Sequence, residues 1–354
     1  MRPPAAIALL VLSESVLLAI PLLPAIDELL RKRDAKPLEV IQKHAGDITY
    51  FARGFRSYLA PLLERLRQCT ETRSNGWGRL KNGEEYLLLG DDRQSFIRAA
   101  RLHGPTCEWL VAAGTNVTFP NGLTFAKEIY SAKPLVSGER NAFRAILCDE
   151  DVHLRRGSET MRWAHAVGRF RADCGCGLYG RVSSDREILL SSGCTFQRLH
   201  APHIVLGSAP DERPANREPA SNVTHPLARR LIDGDFEIRP GEVMPENLVA
   251  RGTLRIGAGA RMLGSAKGHR SVVLEEKAVV CGSLISSGEL YISRDCRIGG
   301  PILAERRIEI SSGTVCGMPE APTTVSSPVV HATEGSSFHG TLWARETGRV
   351  VARL

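Results

Sequence analysis

The sequence predicts a mainly β fold, a parallel β-helix solenoid of 18-residue coils, on two observations: an apolar ladder of fixed period and a glycine column that keeps the same step. Ile256, Leu274, Ile292 and Ile310 stand 18 apart, and Leu254, Val272, Leu290 and Ile308 precede them by two residues each. Gly264, Gly282 and Gly300 form a third column, which Gly317 continues one position early, and Leu284 and Ile302 form a fourth. In a chain that is 43% hydrophobic, one four-member apolar column arises by chance about 3% of the time, so several in one register mark a repeat.

Each repeat places apolar residues at i and i+2, then a Gly-containing turn, then another i, i+2 pair. That is the period of strands, with glycine, Asn or Asp where the chain bends. One coil cannot bury its inward face alone, so coils must stack. The period extends backward: Val152, Phe170 and Ile188 are 18 apart, as are Gly157, Gly175 and Gly193, and Val111, Ile129, Leu147 and His165. The ladder is therefore expected to begin near residue 107, and about eleven coils at roughly 4.8 Å each would make a rod about 50 Å long.

Taken in order, residues 1–36 read as a membrane anchor with a basic flank. Residues 5–26 are almost wholly apolar, and 22 residues at about 1.5 Å each reach about 33 Å, enough to cross a bilayer core of about 30 Å. Glu14 interrupts this stretch, and an intramembrane carboxylate is by default a functional candidate. A cleaved signal peptide fits less well, because Arg2 alone charges the front of the segment and Leu23-Pro24-Ala25 lacks a small residue where cleavage needs one. Arg31, Lys32, Arg33 and Lys36 follow, so the positive-inside rule predicts a single-pass membrane protein with its C-terminal part in the cytoplasm. Nine cysteines, an odd number, agree with a reducing compartment.

Residues 37–106 read as a juxtamembrane helix and a small α/β cap. Ile41, Ile48, Phe51, Phe55, Leu59, Leu62 and Leu66 recur at helical spacing, with a break expected near Pro61 and with Arg53, Arg56, Arg65 and Arg67 on the polar face. Such a helix suits either the open end of the solenoid or an anionic lipid surface. Tyr86-Leu87-Leu88-Leu89 predicts a short buried strand, and residues 94–102 a short helix. Residues 107–207 form a first run of coils, and residues 208–227, with four prolines and no apolar column, an insertion or hinge. Residues 228–354 form a second run, with a short insertion at 325–333 before a last coil containing Phe338, Gly340 and Leu342.

Chemistry is sparse. The net charge is +7, but the Lys and Arg are spread along the chain without interleaved aromatics, so nucleic acid is not an expected partner. There is no GxxxxGK[ST] loop, no GxSxG elbow and no HExxH helix. Cys174, Cys176 and Cys194 sketch a metal cluster, yet cysteine in strand-turn segments is commonly a small apolar filler, and zinc needs four convergent ligands. His200 and His203 are separated by a Pro-containing turn. Trp163-Ala164-His165 is the most suggestive trio, because its column predicts an inward His165; a rod without a cleft makes a buried structural histidine the simpler expectation. No catalytic, cofactor-binding or metal residue is therefore assigned.

The segments Gly252-Thr253-Leu254-Arg255-Ile256, Val279-Val280-Cys281-Gly282-Ser283-Leu284 and Cys296-Arg297-Ile298-Gly299-Gly300-Pro301-Ile302 resemble the bactofilins, polymer-forming bacterial cytoskeletal proteins. That resemblance covers about a third of the chain, and residues 108–207 match it by period rather than by motif. It implies a right-handed β-helix that polymerises end to end without nucleotide or cofactor as a scaffold at the membrane. The implied partners are the protein itself, membrane lipid, and other envelope or cytoskeletal proteins. The N-terminal apolar segment, the second run of coils and the short tail depart from the family pattern. On this reading Phe338 and Leu342 in the final coil are candidate assembly contacts.

Two other classes share parts of the pattern. Left-handed β-helix acyltransferases use 18-residue coils of three hexapeptides; residues 256–267 would pass for two of these, with His269 as the nearby candidate base, but the hexapeptide rhythm then lapses. An exported polysaccharide-binding β-helix would carry aromatic platforms on one face, whereas only 6% of residues are aromatic.

Overall fold

The computed structural model describes residues 12–14, 20, 47–92, 96–207 and 227–353. It is mainly β, a parallel solenoid of about 13 turns with roughly 18-residue spacing. The apolar segment 5–26 and the connection 208–227 fall almost wholly outside the described residues; Glu14 is described and exposed. Among the described residues no helix is long and apolar enough to cross a membrane.

In the second run each coil lays down three strands, for example Asn247–Ala250, Thr253–Ile256 and Arg261–Met262. Each strand pairs in parallel with its equivalent on the next coil, so Leu254 lies against Val272 and Ile256 against Leu274. Alternation places Leu290 and Ile292 inward and Glu289 and Tyr291 outward. The expected column is thus real: Ile256, Leu274, Ile292 and Ile310 stack in sequence and are at most 2% exposed. Gly264, Gly282 and Gly300 stand where successive coils come closest. A Cβ on Gly282 would lie 2.6 Å from the carbonyl oxygen of Gly264, so only glycine fits.

Another corner needs a left-handed backbone. Gly241, Gly259, Lys277, Asp295 and Gly313 occupy it on five coils with φ between 59° and 76°. Glycine is the residue that takes this conformation without steric cost. Side-chain amides and carboxylates tie other corners together one coil apart: Asn247 Oδ1 accepts from Ser265 N at 2.8 Å and Asp235 Oδ1 from Thr253 N at 2.7 Å.

The first run begins earlier than residue 107. Glu85–Leu89 already pairs in parallel with Leu110–Ala113, and an antiparallel strand, Gly76–Arg79, flanks it. Its start is filled by Phe96, Phe119, Phe125 and Phe143, with ring centroids 4.8 Å apart for Phe96 and Phe119 and 4.9 Å for Phe125 and Phe143. Phe96 opens a single-turn helix, Phe96–Ala99, inside the stretch expected to be helical.

The long helix, Tyr50–Glu71, runs through Pro61 without the expected break. Ala52, Phe55, Leu59, Leu62 and Leu66 form its buried stripe and pack on Tyr86, Leu88, Leu110, Ala112, Tyr130, Ala145, Leu147 and Trp163. The helix therefore lies along the side of the first run, not over its open end. Its buried stripe is committed to protein, while Tyr50, Phe51 and Tyr58 stay partly exposed, so Phe51 does not join the stripe as its spacing predicts. Here the strands carry apolar residues on both faces, Val111 and Ala113 inward and Leu110 and Ala112 toward the helix.

This double burial corrects the column that contained His165. The strand Ala142–Cys148 shifts register between Phe125 and Glu128 of its neighbour, so Ile129 pairs with Ile146 rather than with Leu147. The inward stack runs Val111, Ile129, Ile146, Ala164, Val182 and Leu199. Leu147 and His165 consequently face outward, because a one-residue slip reverses every side chain on a strand.

Two further corrections concern the C-terminal part. Residues 325–333 are not an insertion: they belong to the strand Thr323–Thr333, which pairs Val325 with Ile302 and Val330 with Ile308. The extra residues lie just before it, where Met318 and Ala321 form an isolated bridge. The final strand, Ser337–Val351, then does what the repeat pattern gives no reason to expect. It pairs in parallel with Thr323–Thr333 and, on its other edge, antiparallel with Thr195–Leu206, the last strand of the first run.

Candidate functional site

That antiparallel seam joins the two runs end to end and is the most distinctive construction in the molecule. Thr195 faces Arg349, Leu199 faces Leu342 and Ile204 faces Phe338, so the pairing follows all three segments of the last first-run coil. Gly348 makes this possible locally, since a Cβ there would overlap the ring of Phe196. The inward residues merge into one core: Leu199, Ile204 and Leu206 cluster with Phe338, Leu342 and Val350. Phe338 and Leu342 are 1% and 0% exposed. Their edge, expected to be uncovered, is covered by the same chain.

Polar groups pin the rim of the seam. Arg198 lies over the Trp343 ring, 4.8 Å from its centroid. His200 Nδ1 meets Thr341 Oγ1 at 2.9 Å, and His339 Nδ1 donates to the carbonyl of Pro202 at 2.9 Å. His203 and His339 stack across the junction with centroids 5.0 Å apart and planes within 14°. Burial, then repulsion from Arg198, lowers the His200 pKa from its ordinary value. His339 is also lowered, by burial first, with the Pro202 carbonyl opposing, His203 adding repulsion and Glu320 opposing at longer range. Glu187 faces His203 at 2.9 Å, and Asp185 weakly favours the charged His200.

The sign of the pH dependence follows. An unfolded histidine titrates near 6.5, so a folded-state value below that means that the unfolded chain binds the proton first. Stability held above about pH 6.5 is lost as the pH falls through the depressed folded-state values. Thermal melts from pH 7.5 to 5 are therefore expected to shift downward, and His339→Gln together with His200→Gln should flatten the acid limb.

A second polar cluster lies on the outer face that the long helix covers. Arg56 of the helix pairs with Asp149, whose Oδ2 also accepts from the Tyr130 hydroxyl at 2.7 Å. On the next coil, His165 Nδ1 meets Ser183 Oγ at 2.9 Å and Nε2 lies 3.8 Å from Asp185 Oδ2. Serine, histidine and aspartate in one chain of contacts suggests nucleophilic chemistry. However, Ser183 is only 2% exposed and His165 7%, which leaves no open face for a substrate. Burial holds the His165 pKa below its usual value, with Asp185 opposing. The cluster ties the helix and the coils together.

Of the other sequence candidates only Cys176 and Cys194 come together, with their thiols in contact on consecutive coils. Cys174 is exposed, while Cys176 and Cys194 are buried and their thiols donate to the carbonyls of Arg155 at 3.3 Å and Asp173 at 3.1 Å. The turn at Gly175 sends Cys174 and Cys176 to opposite sides, and no His/Cys/Asp/Glu group able to hold a metal occurs among the described residues. His269 is exposed at a corner.

What the fold and these sites define is a β-solenoid protein whose two runs close on each other. No protein-family model, curated protein or solved structure matches the chain.

Proposed function

We propose that this protein is a membrane-anchored, bactofilin-like structural scaffold that self-associates through its β-helix without nucleotide. The observation that carries the reading is the seam: within one chain, a coil end satisfies its backbone groups on another coil end. An end coil that lacks such a partner is a row of strand edges open to a second chain. The first coil of the second run is of that kind among the described residues. Arg229–Ile232, Phe236–Ile238 and Val243–Met244 each pair on one side only, and Leu231 and Val243 are 56% and 55% exposed.

With both C-terminal coil ends used internally, a second copy stacks on this end. A pairing of identical edges about a two-fold axis gives a closed pair rather than an endless filament. The apolar segment at 5–26 with its basic flank holds that assembly at the cytoplasmic face of the membrane. Sedimentation of residues 37–354 is the test: this species should leave the membrane fraction yet dimerise at high concentration, and Leu231→Asp should return it to monomer. A fragment that stays monomeric throughout removes the scaffold reading.

A further inference from the structure

A groove of about 530 Å³ opens where the two runs meet, within the roughly 300–1,000 Å³ that small-molecule sites occupy. One wall is made of successive first-run corners, with Arg156, Cys174 and Ser192 stacked one above another on consecutive coils. The other is made of the last two coils of the second run, where His331 and Arg349 are ladder neighbours. Among the described residues no Asp or Glu lines it.

Some basic side chains of the second run are neutralised by acids, Arg251 by Asp233 at 3.1 Å and Arg255 by Glu275 at 2.9 Å. Arg156, Arg349 and His331 have no side-chain hydrogen bond or ion pair among the described residues. The acids nearby are engaged elsewhere. Glu309, the ladder neighbour of His331, holds Arg307 at 3.3 Å. Asp173, next to Cys174, holds His153 at 3.0 Å and Arg171 at 3.4 Å. Glu334 accepts from Arg353 N at 3.3 Å.

Two guanidinium groups line one groove with no acid among its lining residues, so an oxyanion held there can accept from both. Guanidinium geometry matches phosphate oxygens in particular. We propose that this groove binds a phosphate group between Arg156 of the first run and Arg349 of the second, with Ser192 and His331 as further donors. Such a ligand clamps the junction, because each run contributes one arginine. The phosphate can be free or belong to a lipid headgroup, and the site presents the same chemistry to either.

Cys174 is a built-in reporter, an exposed thiol on the groove wall among nine free cysteines. The experiment follows maleimide modification of Cys174 in the full-length chain by peptide mapping. The additions, at matched ionic strength, are inorganic pyrophosphate, phosphatidylcholine vesicles, or phosphatidylcholine vesicles containing phosphatidylglycerol. Pyrophosphate is expected to slow modification several-fold and to raise the melting temperature. Arg156→Ala and Arg349→Ala, both surface changes, should abolish that protection, while Arg251→Ala keeps it. Protection by the phosphatidylglycerol vesicles alone assigns the site to a lipid headgroup. No protection by any addition, or protection that persists in the Arg156→Ala/Arg349→Ala double variant, overturns the proposal.

Discussion

Replacing Ile292 with Asp is expected to destabilise the second run by on the order of 5 kcal/mol, since it strands a carboxylate without a partner in an apolar stack. Ile292 is 2% exposed and sits between Leu274 and Ile310 of the coils on either side. Neither neighbour can accept or donate a hydrogen bond, so the charge has only protonation as an escape. Tyr291→Phe one residue away is the matched control. That side chain points outward, and its hydroxyl bonds Glu289 at 2.6 Å near the surface, a contact worth little. Because each coil touches only its neighbours, damage should be local at first. Limited proteolysis should cut Ile292→Asp within residues 271–310 at temperatures where the wild type is intact. Equal melting of Ile292→Asp and wild type would sink the inward assignment.

Leu342→Lys has the next largest effect, and its direction separates two views of the final coil. If Leu342 were an assembly contact on an uncovered edge, the substitution would lower association and leave the monomer intact. The side chain is instead fully buried between Val325 and Leu199. A lysine ammonium there costs several kcal/mol and parts the seam. Two consequences are expected. Calorimetry should split one transition into two, as the runs melt separately. Self-association should rise, because the edges of Thr195–Leu206 and Ser337–Val351 are both uncovered. A variant that melts in one step at the wild-type temperature would show that the seam contributes nothing.

Most of the architecture is legible from residues that repeat. The stack of Ile256, Leu274, Ile292 and Ile310 and the close approach at Gly282 can be read because stacking makes identical demands on every coil. Legibility fails where the chain departs from its own period. The bulge before Ala142–Cys148 shifts the stack by one residue, and both faces of that strand are apolar, so alternation carries no signal for the slip that turns His165 outward. Pro61 marks a break that tertiary packing overrides: the stripe from Ala52 to Leu66 is buried along a single continuous helix. The seam is hidden for a different reason. It pairs two strands far apart in sequence, as in the contact of His200 with Thr341, and no period relates them. The groove at the junction cannot be read from sequence, because Arg156 and Arg349 meet only through that seam.

The seam also dictates an order of events during synthesis. Gly207 lies at the junction, whereas Arg229–Ile232 begins the second run at its far end, on the order of 30 Å away at about 4.8 Å for each coil between them. The nascent second run therefore cannot grow on the template of the first. It must nucleate afresh and elongate back toward it while the first run waits with a bare edge. Only Ser337–Val351, made after every other strand described, closes both runs at once, so a chain that stalls or is clipped just before it emerges with both edges of the seam bare, in addition to the open first coil of the second run.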